Sequence, residues 1–160
     1  MKSFRIAWAK AGDAISLVPL LIALYKHDTP EAPEPTCEVV ERHVARLLEP
    51  ETPHRLAVLW SDDDRAIGLA AVARFLSMSD PRPERWTQIE LKELFVLPDC
   101  RSAGLGRALM SWIETEARAA GACRIDWHVK MDNARGIAFY ERFGAAVVQN
   151  RLSMRKMLHR

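Results

Sequence analysis

Cysteine is scarce in this chain and unpaired in pattern. Cys37, Cys100 and Cys123 are odd in number and form no C-x-x-C, which argues against a disulfide framework or a zinc site and makes a reducing cytoplasm the simplest compartment. Long apolar runs are also missing, so no stretch approaches the length of a membrane span. The first residues, MKSFRIAWAKAGDAISLVPLLIALYKH, carry charges throughout and run on amphipathically where a signal-peptide cleavage site would stand. An excess of one charge is lacking as well: 23 Lys and Arg face 21 Asp and Glu, a net charge of +2. That is too small to argue for nucleic acid or a polybasic membrane anchor. The one local excess, RLSMRKMLHR at the end, reads as a strand with solvated edges. There are no repeats, no low-complexity tract and no G-x-S-x-G. Cys100 has no evident histidine partner, so a covalent intermediate on a side chain is not expected.

What is present suits one globular domain spanning residues 1–160: 18.1 kDa, 49% hydrophobic and 28% charged. FRIAW (4–8) reads as an edge strand. Asp13 stands as an N-cap before a helical apolar pattern, with Pro19 suited to the first turn of a helix that starts later. DTPEAPEPT (28–36) is a proline-rich loop, and Val39 to Leu48 form a second amphipathic helix. RLAVLW (55–60), SDDDR (61–65) and AIGLAAVARF (66–75) read as a hairpin. QIELKELFVL (88–97) is a strand, Ser102–Ala120 a helix closed by Gly121, and RIDWHV (124–129) another strand. A helix from Asp132 and Asn133 ends at Gly144, and AAVVQNRLSMRKML reads as two final strands. The order β-α-α-β-β-β-α-β-α-β-β predicts an α/β (α+β) domain with a mixed sheet.

Within it, RSAGLGRALM (101–110) sits between a strand and a helix. A P-loop is excluded because no Lys-Ser/Thr pair follows Gly106. A dinucleotide fingerprint fails because its third position is Leu109, and only 54 residues follow Gly106, too few for a doubly wound sheet, although Asp126 stands at a suitable distance. The local geometry suffices by itself: free N–H groups at a helix start, with the helix dipole behind them, would cradle a pyrophosphate. Small residues at Ser102, Ala103, Gly104 and Gly106 would let it approach. A glycine-rich helix entry without a ligand is the alternative.

RSAGLG (101–106) resembles the Q/R-x-x-G-x-G/A signature of the GNAT superfamily of N-acetyltransferases, and NARGIAFYERFGA (133–145) resembles that superfamily's other conserved helix. The resemblance is close over residues 88–145, and its wording is most like the diamine and polyamine acetyltransferase branch. It implies a GNAT-like domain with a mixed, mostly antiparallel central sheet flanked by helices. It also implies acetyl-CoA as co-substrate, its pyrophosphate held by Arg101, Ser102, Ala103, Gly104, Leu105, Gly106 and Arg107. Backbone groups of Leu94, Phe95 and Val96 would receive the thioester end, and Asn133 would contact the cofactor. Family members are often dimers, so a homodimer is possible. No metal, nucleic acid or membrane is expected.

Moving an acetyl group to an amine needs a base, a stabilised carbonyl oxygen and an acid for the leaving thiolate. By strict alternation Glu93 interrupts an apolar row of Ile89, Leu91, Phe95 and Leu97, and apolar neighbours would raise its pKa towards a useful range. It is the preferred base, Glu90 on the opposite face ranking second; a bulge would instead turn Glu93 outward. Asn133 and Tyr140 lie two helical turns apart on one face, away from Phe139 and Phe143, and the resemblance makes Tyr140 the acid. His27 and His128 have no identifiable partners. Asp28, Glu31, Glu34, Asp80 and Glu84 in loops would suit a cationic amine. The polyamine branch usually has two acidic residues where this chain has Lys92 and Glu93. A lysine there would repel a polycation, which turns the expectation to smaller amines, amino acids or an amine with its own carboxylate. A non-catalytic acyl-CoA-binding or regulatory module is the alternative function.

Overall fold

The computed structural model describes residues 3–158, in two compact units divided between His128 and Val129. The first holds a five-stranded sheet in the order β1-β2-β3-β4-β5. Its strands are β1 (Phe4–Trp8), β2 (His54–Ser61), β3 (Ala66–Leu76), β4 (Thr87–Val96) and β5 (Ala122–Trp127). The first three pairings are antiparallel and β4 pairs with β5 in parallel, so the sheet is mixed and mostly antiparallel, as expected. β2 and β3 are central. Leu56 to Trp60 and Ala66 to Val72 are buried, which explains why these strands read as unbroken apolar runs rather than alternating ones. Their hairpin turns at Asp64, whose left-handed φ of 55° suits an Asp in a tight turn.

Helices cover opposite faces of the sheet. α1 (Ala14–Asp28) buries Leu17, Val18, Leu20 and Leu21 and brings His27 to 5.6 Å from the Phe95 ring, centre to centre. Pro19 lies inside this helix rather than in its first turn. Its ring removes only the bond to the Ile15 carbonyl, on a side open to solvent, so the helix begins directly after Asp13. That residue's carboxylate accepts from the Lys10 N–H at 2.8 Å instead of capping α1. α2 (Cys37–Leu47) is capped by Thr36, whose hydroxyl oxygen accepts from the Val39 N–H. α3 (Leu105–Ala119) lies on the other face and buries Leu109, Met110 and Ile113 almost completely. It is tied to β1 by the Trp8 indole N–H, which donates to Glu116 at 2.9 Å. The Trp8 and Trp112 rings meet edge to face at 4.8 Å, and Arg55 stacks 3.8 Å above the Trp8 ring centre.

The 77–86 loop is stapled rather than open. Asp80 accepts two hydrogen bonds from the Arg82 guanidinium, at 2.8 and 2.6 Å, and pairs with Arg85 at 3.0 Å. Glu34 pairs with Lys26 across the α1–α2 connection. Two of the acidic loop residues expected to attract an amine are therefore engaged in holding their own loops.

The second unit contains α4 (Ala134–Arg142), which ends at Gly144 as expected. The Gly144 N–H donates to the Glu141 carbonyl and the Ala145 N–H to the Tyr140 carbonyl, both at 3.0 Å, the paired bonds of a Schellman ending. The two final strands expected beyond it do not form among the described residues. Residues 145–158 have no strand pairing, and Val147, Leu152 and Met154 are 74%, 91% and 92% exposed. β-branched and alternating residues favour a strand only when a neighbouring strand accepts their hydrogen bonds. His159 and Arg160, the end of the basic stretch, lie outside the described residues.

Two outcomes follow for stability. A Cβ on Gly68 would lie 2.9 Å from the Phe95 carbonyl oxygen, 3.2 Å from Val96 and 3.4 Å from Leu109 of α3. Gly68→Ala must therefore move backbone, and is expected to cost about 1–3 kcal/mol in chemical denaturation. The Arg82 hydrogen bonds hold the Asp80 carboxyl below its ordinary 3.8, at about 2, against the opposing effect of burial. A lowered folded pKa gives stability that is complete above about pH 4 and is lost as the pH falls towards 2. Melting curves of Asp80→Asn should thus lie below those of the unaltered chain at pH 6 and merge with them near pH 2.

Candidate active site

The site is organised by a single extra residue in β4. Up to Leu91 the strand runs in step with β3, Leu91 facing Val72; beyond it Glu93 faces Ala71 and Phe95 faces Leu69. One residue of β3 thus spans two steps of β4, a bulge at Lys92–Glu93. Side chains alternate along β3, so the bulge exchanges the faces of β4. Ile89, Leu91, Leu94 and Val96 share the α3 side, whereas Glu90, Glu93 and Phe95 share the side where α1 ends. This corrects the strict alternation expected from sequence. Glu93 does share a face with Phe95, but Ile89 and Leu91 are opposite, and Glu90 is on its own face rather than behind it. Glu93 is half-buried, opposite Ala71 and between Glu90 and Phe95 along its face.

The bulge is also where β4 and β5 part. Their parallel pairing ends at Leu91 with Trp127, while β4 stays on β3 to its end. The Leu97 N–H donates to the Ile67 carbonyl at 3.0 Å, so by alternation the N–H and C=O groups of Leu94 and Val96 turn towards the side β5 has left. Side chains reach two of them. The Leu94 N–H donates to Glu93 Oε1 at 3.1 Å, and the Val96 carbonyl accepts from Arg101 Nε at 2.8 Å. The Phe95 N–H, expected beside Val96 as a donor, falls on the β3 side by the same alternation.

Arg101 thereby ties the glycine turn to the strand end, its guanidinium 5.5 Å from the Phe95 ring centre. After it the chain takes left-handed conformations at Ser102, φ 67°, and Gly104, φ 78°, and α3 starts only at Leu105. The helix start expected at Ser102 is displaced because two left-handed residues cannot continue a right-handed helix. A turn with left-handed residues of this kind is one in which backbone N–H groups can gather as a nest for an anion. The Leu105 and Gly106 N–H groups extend it, since the first carbonyl used within α3 is that of Gly104, which accepts from Ala108 at 3.0 Å. Ser102, Ala103 and Gly104 are exposed, and Arg107 projects from the first turn, also exposed. A Cβ built on Gly104 meets nothing within 4 Å, leaving room for a bulky ligand against the backbone. These residues fit a phosphate-bearing group.

In the second unit, Asn133 is the N-cap of α4, its Oδ1 accepting from the Gly136 N–H at 2.9 Å. Tyr140 is half-buried on the same helix, its ring edge-to-face with Phe139 at 5.1 Å. Sequence reasoning overlooked the β5 side of the first unit. Arg124 donates to Asp126 at 2.6 Å and to the buried Gln88 at 2.8 Å, and Asp126 lies in register with Glu90. Asp126 is thus part of a polar cluster on the Glu90–Glu93 face. The alternation of Arg124, Asp126 and His128 was the available signal.

A mixed α/β sheet that opens between its two parallel strands, with a glycine turn and a helix start at the opening, is the class that this architecture defines. The family model for Acetyltransferase (GNAT) family matches residues 21–145, and the chain belongs to that family. Among curated proteins it is similar to the mycothiol acetyltransferase of Beutenbergia cavernae, 32% identical over 99 residues, which are 62% of this chain and 32% of that protein. The match therefore spans about a third of that relative's length. Among solved structures, an integron cassette protein from the mobile metagenome of V. cholerae superposes with a TM-score of 0.87 at 20% identity, over 98% of this chain and 94% of that one. The ribosomal-protein-alanine N-acetyltransferase of Brucella melitensis biovar Abortus 2308 does so with 0.75 at 16%, over 96% and 100%. Both likenesses are of fold.

The nest has its own stability signature. Gly104→Ala places a side chain at φ 78° and should cost about 1 kcal/mol in the unliganded protein. Gly104→Asn should recover part of this in the same melting experiment, because Asn tolerates the left-handed region.

Proposed function

We propose that this chain is an acetyl-CoA-dependent N-acetyltransferase, residues 1–160 working as a single domain, that moves an acetyl group directly to a primary amine of a small molecule. The observation that carries the reading is that β4 runs on beyond its pairing with β5, beside a turn with left-handed residues at Ser102 and Gly104 before α3. An extended ligand can add its amide groups to the freed edge of β4 while its pyrophosphate lies in the nest. The co-substrate supplies an activated acetyl carbonyl; everything else falls to the chain. Arg101, Ser102, Ala103, Gly104, Leu105, Gly106 and Arg107 hold the phosphates. The freed edge at Leu94 and Val96 binds the thioester end, with the Val96 N–H donating to the carbonyl oxygen as it gains charge. Glu93, directly or through water, takes the proton of the amine, with Glu90 beside it as the second candidate. Tyr140 donates a proton to the departing thiolate, and Asn133 contacts the cofactor. One C–N bond forms as one C–S bond breaks.

Diamines, polyamines, amino acids and similar small amines are the acceptors within this proposal, as are the cytoplasm for its location and a homodimer for its assembly. Among the described residues no helix is long and apolar enough to cross a membrane. The acceptors printed in the names of the similar proteins, mycothiol and a ribosomal-protein alanine, belong to those proteins.

Thermal melting with acetyl-CoA, CoA, NADH and ATP at equal excess tests the binding. At a hundred times Kd a ligand adds about 2.7 kcal/mol, and only the two CoA species should do so; absence of that shift overturns the proposal. Glu93→Gln and Tyr140→Phe should keep the acetyl-CoA shift and lose about a hundredfold or more in thiol release with an accepted amine. Full activity in both would remove these side chains from catalysis. Binding of acetyl-CoA with no turnover of any amine would favour a non-catalytic acyl-CoA-binding or regulatory module.

A further inference from the structure

The bulge in β4 places a cation among the acids of the Glu90–Glu93 face. Lys92 Nζ lies 2.9 Å from Glu90 Oε1, and the lysine and glutamate side chains are 55% and 29% exposed. They share the side of the sheet that carries Glu93, and across β5 Asp126 stands in register with Glu90. The second cation of this face, Arg124, is held by both Asp126 and the buried Gln88, a geometry that leaves it little freedom. Lys92 has a long flexible stem and a partner that is itself partly solvated. A pair this open to solvent is weakly held, so its two charges can change partners at little cost.

We propose that the Glu90–Lys92 pair is the specificity-determining element of the acceptor site and selects amines that carry their own carboxylate. The inference rests on the acetyl-transfer reading for the fate of the amine, not for its recognition. A zwitterionic acceptor exchanges ion pairs with the protein. Its carboxylate takes Lys92, its ammonium takes the released Glu90 carboxylate beside Glu93, and no charge is left without an opposite. A diamine of the same length makes only half of this exchange and sets its second ammonium against Lys92, where like charges repel.

The test pairs 4-aminobutyrate with 1,4-diaminobutane, which share a chain length and differ in the sign of the far end. With the unaltered protein and acetyl-CoA, kcat/KM should favour 4-aminobutyrate by tenfold or more. Lys92→Gln should flatten the ratio and Lys92→Glu invert it, mainly through KM, while each variant keeps the melting shift with acetyl-CoA that shows an intact fold. Saturation-transfer NMR of the same two amines with CoA present gives a readout that needs no chemistry. A preference for the diamine, or a ratio that Lys92→Glu leaves unmoved while both amines turn over, overturns the inference and spares the transfer reading. Carboxylate-dependent binding lost in Lys92→Glu, with no turnover of these or any other amine, upholds the inference and defeats the transfer reading. Absence of carboxylate-dependent binding by NMR, with no turnover of any amine, defeats both.

Discussion

One inserted residue in β4 controls most of what this structure can do. A bulge increases local twist and leaves a residue unpaired, and here it coincides with the last parallel contact between β4 and β5, Leu91 with Trp127. A strand cannot keep two neighbours in register through a bulge unless both carry a matching irregularity. β4 keeps β3, whose antiparallel partners continue to Val96 with Gly68, and gives up β5. The exposed backbone edge that results would be a liability on a sheet margin. Inside the sheet, beyond the end of β5, it is a short edge with the hydrogen-bonding groups of Leu94 and Val96 along it.

The freed edge of β4 and the turn at the start of α3 are joined by one contact. Arg101 reaches back to the Val96 carbonyl, so the turn carrying Ser102 and Gly104 begins where the freed edge ends. Gly68, which lets Leu109 of α3 sit against β3 and β4, holds the helix start at that level. An anion at the nest and an extended chain along the edge would thus be parts of one ligand. This is the physical content behind assigning acetyl-CoA to the site, and it concerns only the first unit. Tyr140 and Asn133 enter the proposal through the helix motif of the second, whose own ordering by the Asn133 cap is clear.

The charged residues around β4 divide into those that hold the fold and those open to exchange. Asp80 and Arg124 each have two partners, a geometry that commits them to their neighbours. Glu90 and Lys92 are mutually paired, Lys92 exposed and Glu90 partly so, and the pair is electrostatically adaptable. Counting acidic residues in loops pointed to a cationic acceptor; the committed pairs remove much of that argument, and the bulge adds a cation where alternation had put none beside Glu93.

Much was legible in the sequence because it depends on local chemistry. The β2–β3 hairpin, the amphipathic faces of α2 and α3, the helix ends at Gly121 and Gly144, and the glycine turn all follow from periodicity and turn residues a few positions apart. The family was legible from two motifs for the same reason. The face of Glu93 was not, because a period of two cannot show an inserted residue when both phases around it are apolar. Ile89 and Leu91 continue into Phe95 and Leu97 in one phase and into Leu94 and Val96 in the other, and only β3 decides which is real. Helix propensity likewise could not say that Pro19 would be tolerated mid-helix, which its solvent-facing side settles. Nor could a strand-like pattern at residues 145–158 supply a strand to pair with. Sequence determined the elements up to α4, their order and the chemistry they carry; tertiary pairing decided which side chains face one another, because register is a property of two strands and not of one.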